Sequence, residues 1–75
     1  MNYKAIKLAK IVEYLLNGAI IEINNIQYMM TTDYKINELS SNYLDKDCKV
    51  VNENIQLYDL AKSLVDKNDN QVKIL

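Results

Sequence analysis

Histidine, arginine, proline, tryptophan and phenylalanine are all missing from this chain, and cysteine and glycine occur once each. Without histidine the usual zinc ligand sets cannot be assembled, and a nucleophile lacks its commonest general base. A single cysteine, Cys48, forms no internal disulfide, which suits a reducing compartment. A single glycine, Gly18, rules out a Gly-rich phosphate loop. All nine basic residues are lysine and the net charge is −1, so the basic excess and the arginines of a double-stranded nucleic acid binder are absent. No apolar run nears the roughly 20 residues of a membrane span, and no signal-peptide pattern opens the chain. These absences predict a cytoplasmic, non-enzymatic protein without metal or cofactor.

What is present suits one small α+β domain over residues 1–75. A core of this size yields only about 3–5 kcal/mol of net stability. With disulfide and metal excluded, self-association into a dimer or tetramer is the expected reinforcement.

The stretch from Leu15 to Met30 carries the strongest architectural signal. Residues 3–17 read as a helix, with Ala5, Leu8, Ala9, Val12, Leu15 and Leu16 on one apolar stripe. Ile11 widens that stripe, while Lys4, Lys7, Lys10 and Glu13 lie outside it. Asn17-Gly18 ends the helix, because glycine takes the left-handed conformation without a Cβ clash. A hairpin follows over 19–31, turning at Asn24-Asn25. It pairs Ile23 with Ile26, Ile21 with Tyr28 and Ala19 with Met30 on one face. On the other it pairs Glu22 with Gln27 and Ile20 with Met29. Ile20 and Met29 stand where a solvated face would be polar, and so form the expected subunit interface.

Residues 31–47 form a long polar connection in which Tyr34 and Ile36 extend an irregular strand and Tyr43-Leu44 begin another. Cys48 to Val51 reads as a short strand and Asn52-Glu53-Asn54 as a turn. A second helix is expected over about 55–66, capped by Asn54 or Asp59, with Leu57, Leu60, Ala61, Leu64 and Val65 on its stripe. Residues 71–75 close the sheet, with Val72 and Ile74 inward.

Chemistry-bearing groups are sparse. Cys48 is read as a small core residue, and the Asp45/Asp47 and Asp66/Asp69 pairs as solvated turn residues that lack the spacing of a calcium loop. Six tyrosines supply all the aromatic content. In the polar middle segment, Tyr34 and Tyr43 are the candidate stacking platforms, since a ring can cover a base while its phenol finds a polar partner. Were the ligand a nucleotide, Lys35 would offset its phosphate charge, and Asn37, Thr31 and Thr32 would bind its ribose.

One order of parts resembles a known family. A helix ends in a leucine-rich glycine turn (Ala9 to Gly18), then come a hairpin (Ile20 to Met30) and an irregular middle. A short Tyr58-Asp59-Leu60-Ala61 helix and a closing strand (Val72 to Leu75) follow. This order resembles the second type of phage anti-Thoeris protein. The resemblance implies small α+β subunits assembled as homotetramers that sequester a nucleotide-derived immune signal of the cyclic ADP-ribose class. The alternatives are a protein-binding inhibitor of a host nuclease or defence effector, with Ile20, Met29 and the acidic loops as contact surface, or a ligand-free accessory subunit.

Overall fold

The computed structural model describes residues 3–42, 44–64 and 72–75, and for residues 3–6 the backbone only. Helix α1 spans Tyr3–Leu16, strand β1 Ile21–Ile23 and strand β2 Ile26–Met30. Strand β3 follows at Ile36–Leu39 and strand β4 at Val50–Ile55. Helix α2 covers Leu57–Ser63 and strand β5 Val72–Ile74. The five strands form one antiparallel sheet in the order β4-β3-β2-β1-β5. The first four strands run as a meander, and the chain then returns past α2 to lay β5 on the far side of β1. This is the α+β architecture expected from the sequence.

The α1 terminus has a defined stop. Gly18 sits at φ +86, and its N–H donates to Leu15 O at 3.1 Å while the Ala19 N–H donates to Tyr14 O at 3.0 Å. That bond pair is the Schellman arrangement, which satisfies helix-end carbonyls and reverses the chain. The hairpin then turns through Asn24 and Asn25, both with positive φ (54 and 65), as a type I′ turn requires. Its register matches the sequence reading at Ile21–Tyr28, Glu22–Gln27 and Ile23–Ile26. The ladder stops there, so the expected Ala19–Met30 and Ile20–Met29 pairs are not part of it. On its other edge β2 pairs Met30 with Ile36 and Met29 with Asn37. The Ile20 carbonyl accepts from the Leu75 N–H at 2.8 Å.

Both helices contribute to the core on one face of the sheet. Ile11, Leu15, Leu60 and Leu64 pack with Ile21, Ile23, Tyr28 and Ile36. Alternation along the strands places Ile21, Ile23, Tyr28 and Ile36 on that face. Glu22, Gln27, Met29, Asn37 and Leu39 fall on the opposite one.

The α1 stripe is rotated from the expected one. Ile11 and Leu15 lie at its centre, Lys7 is buried beside them, and Ala9 and Leu16 are exposed. The i, i+4, i+8 row of Lys7, Ile11 and Leu15 faces the sheet because a lysine stem covers apolar surface as well as an alanine does.

Further expectations are corrected. Strand β4 is Val50–Ile55, not 48–51, so the expected turn at Asn52-Glu53-Asn54 is strand. Two register irregularities against β3 and the φ of 55 at Asn54 let an edge strand carry these turn-type residues. Helix α2 begins at Leu57 after Gln56, which makes no side-chain cap, so neither Asn54 nor Asp59 is the N-cap. Tyr34 lies in a turn before β3, and Leu44 lies in a turn of the β3–β4 loop, not in a strand. Cys48 also belongs to that loop, half-buried, with its thiol 3.1 Å from Ser41 O. Val65, Asp66 and Asp69 lie outside the described residues.

Candidate functional site

The hairpin tip at Asn24-Asn25 points to one end of the sheet. The α1 terminus and the β2–β3 connection therefore meet at the other, because β1 starts where β2 ends. Between them lies a shallow open cleft of about 210 Å3. Leu15, Leu16 and Gly18 line it at the end of α1, Met30 at the end of β2, and Thr31, Thr32 and Tyr34 in the loop. Leu15 is fully buried and serves as floor, whereas Leu16 is 56% exposed and forms a wall.

The loop side is a self-contained five-residue turn. The Tyr34 N–H donates to Thr31 O at 3.0 Å and the Thr31 N–H to Lys35 O at 2.9 Å. This is the three-residue hairpin pattern of a turn followed by a left-handed residue. That left-handed position, normally glycine or asparagine, is held by Tyr34 at φ 64. The strain of a Cβ there is about 1–2 kcal/mol. Side chains lock the turn around it. The Thr31 hydroxyl donates to the Asp33 carboxylate and accepts from the Lys35 N–H, the latter at 3.1 Å. Lys35 Nζ stands 3.5 Å from Asp33 Oδ2. The Thr31 hydroxyl holds the Asp33 carboxyl below its ordinary value; desolvation opposes this, and the Asp33 backbone N–H and then Lys35 add to the lowering. The product is a Tyr34 side chain that is 74% exposed on a backbone braced at every other residue.

Three of the sequence-derived ligand candidates, Thr31, Thr32 and Tyr34, therefore come together on one wall. Lys35 is in the same turn but points its ammonium at Asp33 and does not line the cleft. Asn37 is elsewhere: it is 7% exposed on the opposite sheet face, and its Oδ1 accepts the Asn54 N–H at 3.1 Å. Tyr43 lies outside the described residues. Sequence reasoning missed Leu16 and Gly18 as lining residues, because it assigned Leu16 to the buried stripe.

The expected interface pair lies next door. Ile20 and Met29 line a second depression of about 180 Å3 together with Gly18 and Met30. Gly18 and Met30 thus border both hollows. Ile20 and Met29 are both half-buried.

Among the described residues no three His, Cys, Asp or Glu side chains stand close enough to hold a metal ion. No described helix is long and apolar enough to cross a membrane. Comparison with protein-family models, with curated proteins and with solved structures finds no match to this chain.

Proposed function

We propose that this protein is a non-catalytic binding protein that captures a nucleotide-derived signal, in the phage counter-defence role that its element order resembles. Tyr34 supports this reading most directly. A bulky aromatic side chain sits in a strained backbone conformation, largely solvent-exposed, at the rim of an apolar cleft. Strain of that kind persists where the surrounding structure over-determines it, and it clusters at ligand sites. Leu16 on one side and the Tyr34 ring on the other suit a planar group inserted between them, with the Thr31 and Thr32 backbone and hydroxyls at its edge.

Size limits what enters. Small-molecule sites usually enclose roughly 300–1,000 Å3. A cleft of 210 Å3 takes one planar group and leaves the remainder of a cyclic nucleotide outside. Self-association through Ile20 and Met29, as a dimer or tetramer, belongs to the same proposal. Sedimentation or mass photometry reads it directly, and a monomer at micromolar concentration counts against it.

Isothermal titration with cyclic ADP-ribose isomers and cyclic dinucleotides tests the ligand. Heat is expected with the wild-type chain and not with Tyr34→Ala. Absence of heat with all of them, at concentrations that saturate a micromolar site, removes the reading.

The same small cleft also favours a second reading, capture of one side chain of a host protein. Exposed Leu16 and Tyr34 would then be anchors of a protein–protein contact, and the protein would act as an inhibitor of a host effector. Pull-down from host lysate, lost on Leu16→Asp, separates this from a small-molecule site.

A further inference from the structure

Resting on the nucleotide reading, we infer that the Leu16–Tyr34 cleft binds the nucleobase end of its ligand and disfavours the phosphates. The inference comes from the charge around the cleft. Its helix wall is the C-terminal end of α1, a fourteen-residue helix with no basic residue in its last turn. A helix C-terminus carries a partial negative charge of about half an electron, and nothing in this last turn offsets it. The Schellman bonds occupy the Tyr14 and Leu15 carbonyls with N–H donors but bring no cation.

The opposite wall supplies no net positive charge. Lys35, the only lysine of the β2–β3 turn, is set against Asp33 at 3.5 Å, and the two charges cancel at a distance. Thr31 and Thr32 are neutral, and among the described residues no lysine lines the cleft. A phosphate placed there meets the negative helix end without a counter-charge. A nucleobase meets the reverse situation, since its exocyclic amine and ring N–H groups are donors and its flat face suits Tyr34.

This reverses the role expected for Lys35 from the sequence. The chain has no arginine with which to grip a phosphate by two parallel bonds.

The test compares adenosine, adenosine 5′-monophosphate, cyclic ADP-ribose and inorganic phosphate by isothermal titration at low salt and at about 0.15 M salt. Adenosine is expected to bind about two- to five-fold more tightly than its monophosphate at low salt, the range a helix-end charge supplies. Salt should narrow the gap by screening the repulsion. Inorganic phosphate should not compete. Asn17→Lys, which adds a cation at the exposed end of α1 outside the cleft lining, should erase or invert the preference without weakening adenosine. A monophosphate that binds ten-fold more tightly than adenosine, or competition by inorganic phosphate, overturns the inference and leaves nucleotide binding standing. Absence of binding by every probe overturns both.

Discussion

The Asn37 side-chain carbonyl accepts the backbone N–H of Asn54 at 3.1 Å, across the irregular junction of β3 and β4. The bond joins a nearly buried amide to a residue whose left-handed backbone takes its N–H out of the regular ladder. Asn54 is itself exposed, so the side that needs the bond is the buried Asn37 amide, whose carbonyl would otherwise lack this donor.

Asn37→Ala is therefore expected to lower stability by about 1–3 kcal/mol, seen as a reduced urea midpoint with unchanged slope. Ligand heat per folded molecule should be unaffected. Lost binding with full stability would assign Asn37 to the ligand and not to the frame.

Tyr34→Gly should move stability and binding in opposite directions. Removing the Cβ from a residue at φ 64 relieves about 1–2 kcal/mol of strain, and the added freedom of glycine in the unfolded chain takes some of that back. A net gain in melting temperature with loss of ligand heat is the expected pair of outcomes. A variant less stable than the parent would show that the Tyr34 ring packs usefully in the free protein.

The Asp33 carboxyl should titrate below its ordinary value of 3.8 in the folded chain. A depressed folded-state value contributes stability that is present above the unfolded value. That stability is lost as pH falls through the folded one, so the window lies below about pH 4. Side-chain carbonyl NMR shifts between pH 2 and 6 read it. Thr31→Val, which removes the first cause, should return the titration toward 3.8, and no change would deny the hydroxyl its role.

Core truncation separates inside from outside on helix α2. Leu60 is fully buried, and Leu60→Ala should cost about 2–5 kcal/mol, comparable to the whole stability of so small a domain. Loss of a cooperative thermal transition in circular dichroism is expected. Leu57→Ala, at a half-exposed position three residues away, should stay within about 0.5 kcal/mol of the parent.

The hairpin register was legible because period-two alternation and a two-residue asparagine turn leave one pairing that buries Ile21, Ile23 and Tyr28 together. Helix α1 was legible in extent but not in rotation. Lys7 counts as polar in any pattern, yet its stem is covered. Strands β3 and β4 stayed hidden for a related reason. Asn37, Asn52 and Asn54 signal turns locally, whereas here one bonds to a bulge and two lie in an edge strand that tolerates them. The loop wall of the cleft could be named in advance from its polar and aromatic residues. The helix wall could not, because whether Leu16 points inward or outward is decided by about one residue of helix rotation.

Strand order has a consequence for vectorial synthesis. Strand β1 is made early, but one of its two neighbours is β5, and Ile20 waits for the Leu75 N–H. A nascent chain on the ribosome therefore carries Ile21 and Ile23 in a hairpin with one bare backbone edge until residues 72–75 have cleared the exit tunnel. Any fusion joined directly after Leu75 acts on the strand that seals that edge.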